Sequence, residues 1–201
     1  MFLFNVLKSL QVLIIGTVLC LTVSLTAHAA AMDENPLQSS SSENNGLSFG
    51  MEVDALPYVS GGHYISGVIG FDHYNLRLIS TKTTIPGFVT PDGFKDWDLD
   101  VTAVILDYFP GENREGLWLG GGMEFWDSKI RTKNTGDSGS FSQKIITLGA
   151  GYVYNLNEHW YINPWAAIHY NLSDKNVAIG ASNLDIPDIM YEASVKLGYK
   201  F

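Results

Sequence analysis

The last eleven residues of the chain, 191–201, alternate without a miss. Tyr191, Ala193, Val195, Leu197, Tyr199 and Phe201 fall on one face; Glu192, Ser194, Lys196, Gly198 and Lys200 fall on the other. Period-two alternation marks a strand with one apolar and one polar environment. The same pattern predicts strands over about 47–57, 63–71, 74–83, 95–109, 116–127, 141–155, 159–172 and 189–201. In the first, Leu47, Phe49, Met51, Val53 and Ala55 oppose Ser48, Gly50, Glu52 and Asp54. In the fourth, Trp97, Leu99, Val101, Ala103 and Ile105 share a face.

The connections alternate in length. Those at 72–73, 110–115 and 155–158 are tight, whereas 84–94, 128–140 and 173–188 are long and rich in Gly, Pro, Asn, Asp and Ser. Short turns on one side and long loops on the other predict an all-β, antiparallel up-and-down barrel with an even strand number, here eight. The segments are long enough to cross a bilayer, at about 9–11 residues per strand.

Polarity separates a membrane barrel from a soluble one. A soluble barrel keeps apolar residues inside and charges outside. In this chain one face is apolar and aromatic, while the other holds nearly all the strand charges and the glycines at 50, 70, 120, 122, 149, 151 and 198. An apolar outside around a polar inside predicts a transmembrane barrel. Under that register, Trp97 through Ile105 face lipid, and so does Asp107, a misfit that a bulge near 107 would repair. Trp97, Phe125, Phe141 and Tyr170 are expected at one rim; Tyr74, Phe109, Tyr154, Trp160, Tyr199 and Phe201 are expected at the other. Rings with a polar tip favour such interfaces.

The same register sends Glu52, Asp54, Arg77, Asp98, Asp100, Glu124, His169, Glu192 and Lys196 into the lumen, with Asn163, Asn171, Tyr161, Trp118, Trp126 and Trp165. Eight strands leave an interior that side chains fill. Charges there must be paired, so the expectation is a plugged, salt-bridged core in which Arg77 and Lys196 serve the carboxylates.

Residues 1–29 carry Lys8, an apolar run from Val12 to Val23, and Ala27-His28-Ala29, which is the layout of a secretory signal peptide. Residues 30–46 are polar and aperiodic, a flexible periplasmic lead-in to a barrel over 47–201. Cys20, the chain's one cysteine, lies within the signal, so the exported protein has neither disulfide nor thiolate chemistry. Beyond residue 29 the chain has 11 bases against 21 acids, a net charge of −10, which argues against nucleic acid as a partner.

Candidate chemistry is sparse. Asp96, Asp98 and Asp100 share a face of the fourth strand and, with Glu124, offer oxygens to a divalent cation, although no calcium-type loop is present and no metal site is expected. His169 lacks a Ser at His-x-Ser spacing, since Asn171 stands there; a luminal histidine satisfied by the polar core is expected rather than a catalytic one. The glycine clusters at 120–122 and 149–151 open no helix and are not phosphate loops, and no cofactor is implied.

The terminal strand, with WLGGGMEFW at 118–126 and YINPWAAIH at 161–169, resembles the small eight-stranded outer-membrane barrels of Gram-negative bacteria, among them proteobacterial proteins of unassigned activity. The resemblance implies a monomer in the outer-membrane bilayer. It also implies insertion by the barrel-assembly machinery, which reads Tyr191, Val195, Leu197, Tyr199 and Phe201. A structural or surface-interaction role, a narrow channel for small polar or cationic solutes, and lipid modification are all compatible with it.

Overall fold

The structure is a computed structural model and describes residues 46–201. The expected signal peptide at 1–29 and all but the last residue of the expected lead-in at 30–46 lie outside the described residues. Eight strands close into a barrel: β1 (Ser48–Asp54), β2 (His63–Phe71), β3 (Tyr74–Ile85), β4 (Phe94–Tyr108), β5 (Gly116–Thr132), β6 (Ser138–Asn155), β7 (Trp160–Asn171) and β10 (Ile189–Lys200). Each pairs antiparallel with its sequence neighbour, and β10 closes on β1 through pairs such as Met51–Tyr199 and Asp54–Lys196. Between β7 and β10 the chain makes a separate hairpin, β8 (Asn176–Ile179) with β9 (Ser182–Asp185).

Three segments depart from the sequence expectation. The first strand stops at Asp54 rather than 57. There the Asp54 carboxylate accepts the Leu56 N–H at 3.0 Å and caps a short helix, α1 (Ala55–Val59), which contains Pro57. The expected loop at 128–140 is mostly strand, because β5 and β6 run for 17 and 18 residues and meet in a tight turn. Residues 173–188 contain the β8–β9 hairpin.

The larger correction concerns β4. Its Trp97, Leu99, Val101, Ala103 and Ile105 point inward and are 5–7% exposed, while Asp98 and Asp100 point outward. Asp107 lies inside with no bulge beside it. The irregularity is instead between Lys95 and Asp98, where Asp96 adopts a φ of 50°. Two residues rather than one therefore separate the inward Phe94 and Trp97. The expected rim residues Trp97, Phe109 and Phe141 likewise pack inside, whereas Phe125, Tyr170, Tyr154 and Trp160 stay outside.

These faces stack into two layers of opposite polarity. Toward the short turns the outside is apolar, with Met51, Ile65, Leu78, Val104, Leu119, Leu148, Ile168 and Leu197 among its exposed residues. Its turn-side rim carries ring contacts such as Tyr74–Tyr108 and Trp160–Tyr199, with centroids 5.4 and 4.9 Å apart. Toward the long loops β3–β6 continue as a collar with a polar outside. Lys82 bonds Asp100 at 2.9 Å, Thr84 donates to Asp98 at 2.9 Å, and Ser142 donates to Asp127 at 2.5 Å.

The collar's inside is mainly apolar, although Ser128, Thr132 and Gln143 are also buried there. Leu99, Val101, Trp126 and Ile145 form one buried cluster; above it, Phe94, Trp97 and Ile130 pack with Ile179, Leu184 and Ile186 of the β8–β9 segment. Each fully buried aliphatic side chain contributes about 1.5–3 kcal/mol. The hairpin is thus held in the barrel mouth as a plug. Ile186 N–H donates to the Lys175 carbonyl at 2.8 Å, and Lys175 meets Asp188 at 2.5 Å, which together tie its base. That bond to Asp188 raises the exposed Lys175 ammonium above the ordinary lysine value.

Candidate functional site

Inside the apolar band the polar side chains converge in two groups. Nearer the turns, Arg77 donates to Asp107 at 2.7 Å and lies 3.6 Å from Glu52. Glu52 also accepts from Tyr161 and Asn163, both at 3.1 Å, and from Ser66 at 3.4 Å. Trp118 lies under the Arg77 guanidinium, 4.7 Å from its ring centroid, and donates to Asn163 at 2.9 Å. Asp54 accepts from Trp165 at 2.7 Å and from Ser194 at 2.5 Å. Lys196 is 1% exposed and sits 4.0 Å over Trp165, where the ring face attracts its charge.

Glycines make this packing possible. A Cβ on Gly198 would lie 2.0 Å from the Tyr161 ring, and one on Gly151 would lie 2.6 Å from Trp118. Phe109, Trp118, Val153 and Tyr161 close the turn end as a third buried apolar cluster.

Nearer the collar, Glu124 accepts from Trp126 at 2.6 Å and from Thr147 at 2.8 Å. His169 Nδ1 lies 2.8 Å from Thr147 Oγ1, and its Nε2 lies 3.2 Å from Glu192. A histidine between two carboxylates balances charge. It is not poised as a general base toward a free hydroxyl, because the Thr147 hydroxyl already donates to Glu124.

Glu52, Asp54, Arg77, Glu124, His169, Glu192 and Lys196 are therefore brought together inside the barrel. Asp100 is not. It stands outside, 57% exposed and paired with Lys82, because β4 presents the opposite face. The imagined cation site fails for the same reason, with Asp98 and Asp100 on the opposite side of the wall from Glu124. Among the described residues no three His, Cys, Asp or Glu side chains converge to hold a metal ion.

Sequence reasoning missed Asp107, Ser66, Thr147 and Ser194 in this network. Asp107 had a signal, as the one acid on an otherwise apolar face, and Ser194 shares the polar face of the terminal strand with Glu192 and Lys196; Ser66 and Thr147 had none. The terminal-strand residues Tyr191, Leu197 and Phe201 face outward and are 54%, 40% and 72% exposed.

The arrangement can be compared with known proteins. The chain is similar to the N-terminal β-barrel domain of Pseudomonas aeruginosa OprF, with 16% identity and a TM-score of 0.51 over 78% of this chain and 98% of that one. The fold is that of a small outer-membrane β-barrel. Neisserial surface protein A (9% identity, TM-score 0.44, 77% of this chain and 92% of that one) also matches. So does Acinetobacter baumannii CarO (16% identity, TM-score 0.37, 77% and 96%). No protein-family model and no curated protein matches the sequence.

Proposed function

We propose that this chain resides in the bacterial outer membrane as a monomeric, closed, non-conducting barrel. It acts as a structural or surface-interaction protein through its collar and long loops. Insertion by the barrel-assembly machinery, reading the outward face of β10 and Phe201, belongs to the same reading.

The observation that carries it is the inversion of polarity along the barrel. One layer is apolar outside around a mainly polar interior, the pattern of a barrel in lipid; the next is polar outside around a mainly apolar interior, the pattern of a barrel in water. Single-channel recording supports or removes this function. The folded protein is placed in a planar bilayer at high and low salt, with folding checked by a heat-modifiable gel shift. A silent membrane is expected, because a solute on the barrel axis would have to displace the Trp97–Ile130–Leu184 core at one end and the Phe109–Trp118 cluster at the other. Discrete cation-selective steps altered by Glu124→Gln would replace this reading with that of a narrow channel.

A further inference from the structure

Among the described residues, the barrel wall opens between β10 and β2 beyond the end of β1. β1 ends at Asp54, paired with Lys196, yet β10 continues toward the loop end as far as Ile189 with β7 as its only strand partner. On the other side, β2 extends past its last pair with β1, Glu52–Ser66, to His63. The position one strand would fill holds α1 instead.

The sequence enforces this. Phe201 N–H donates to Phe49 O at 3.0 Å, whereas Lys200 N–H donates to His159 O at 2.8 Å, so odd-numbered residues of β10 bond toward β1 and even-numbered ones toward β7. Extended in the same register, β1 would place residue 57 opposite Ala193 at a position that must donate. Residue 57 is proline and has no N–H. Tyr191, Ala193 and Val195 thus turn backbone groups toward a missing strand in the apolar band.

The lining of the break is unlike the rest of the interior. The Glu192 side chain is 33% exposed, against 11% for Glu124 and 4% or less for Glu52, Arg77, Asp107 and His169. Across from it, Tyr64 on β2 is 6% exposed, its hydroxyl has no hydrogen-bond partner, and its ring lies 5.8 Å from the Lys196 ammonium at the floor of the break. Outside, a cavity of about 200 Å³ runs beneath α1. Val53, Ala55, Tyr58, Ile162, Val195 and Leu197 line it together with Asp54 and Lys196. Inside, Arg77, Lys196 and His169 stand against Glu52, Asp54, Asp107, Glu124 and Glu192, so carboxylates exceed bases there, and His169 serves both Glu124 and Glu192.

We propose that this break is a lateral port that binds a single-chain amphiphile with an ammonium head. The head reaches Glu192, the acid left most accessible and only half-served by its base. The tail lies along the apolar cavity, whose lining residue Lys196 is four residues, about 13 Å, further along β10. Both ends of the barrel are filled, so the side is the route the fold leaves open. The proposal rests on the membrane reading above and goes beyond it.

The folded protein in phosphatidylcholine vesicles is titrated with an alkyltrimethylammonium brominated at mid-chain, and separately with the brominated alcohol of equal length. Tryptophan quenching is read as the difference between wild type and Trp165→Phe, since Trp165 lies between Asp54 and Lys196. The ammonium probe should quench along a saturable curve, the alcohol without saturation. Glu192→Gln should raise the half-saturating concentration about tenfold, the scale of one charge-assisted contact. Quenching by both probes that only tracks bulk partitioning overturns the port, and equally tight saturation by the alcohol overturns the ammonium assignment. These wild-type comparisons stand even if Glu192→Gln does not fold. Protein that neither floats with the vesicles nor shows the gel shift brings down the membrane reading itself, a result distinct from an inserted barrel without a site.

Discussion

Arg77 and Asp107 meet at 2.7 Å inside the barrel, and each side chain is 4% exposed. They lie diagonally on adjacent strands, because Arg77 faces Ile105 and Asp107 faces Asn75. Turning β4 over by one residue would expose Asp107 and leave Arg77 only Glu52, at 3.6 Å. The pair thus opposes the face reversal that the sequence pattern invites. Removing Asp107 leaves the buried Arg77 guanidinium only its longer contact to Glu52, and breaking a buried pair costs about 3–5 kcal/mol. Asp107→Leu should lower stability by that amount in urea titrations of the inserted protein. Because Arg77 also faces Glu52, adding Arg77→Met together with Glu52→Gln should restore much of the loss; a triple variant as unstable as the single one would show that these groups do not act as a unit.

The orientation of β4 can be read chemically. The barrel region has no cysteine of its own, so single cysteines report position. Asp100→Cys should react with a membrane-impermeant maleimide in intact vesicles, whereas Leu99→Cys and Val101→Cys, on the buried face, should react only after unfolding. The opposite labelling order would restore the inward Asp100 that alternation suggests. The exposed Lys82–Asp100 pair adds little stability, at most about 1 kcal/mol, so the substitution should be tolerated.

The hairpin plug should loosen without the barrel. Leu184 is fully buried against the collar core with Ile130 and Trp97, and truncating a buried leucine costs about 2–5 kcal/mol. Leu184→Ala should speed amide hydrogen exchange across 176–185 and leave exchange in the apolar band unchanged. Equal acceleration throughout would mean that plug and barrel unfold as one unit.

Much of this architecture was legible because most strands have one face of each kind. In β10, Tyr191 through Phe201 stay outside and Glu192 through Lys200 inside, as alternation alone dictates. Most of the inner network could be named for the same reason, since Glu52, Arg77, Glu124, His169 and Lys196 each break an otherwise small or apolar run.

The limits of the sequence have equally specific causes. Over 101–108 both faces of β4 are largely apolar, so period two fixes the alternation but not which face turns in. Pairing with β3, which brings Asp107 to Arg77, makes that choice. Alternation also carries no record of height along the barrel. A rule of apolar residues outside holds beside lipid and reverses in the collar, where Asp100 belongs outside and Val101 inside. The chain by itself determined the eight barrel strands and their closed antiparallel order, because these depend on local periodicity and loop length. Tertiary structure decided which face β4 buries, where the polarity inverts, and that α1 replaces a strand, because each depends on what a neighbouring element or solvent layer presents at that level.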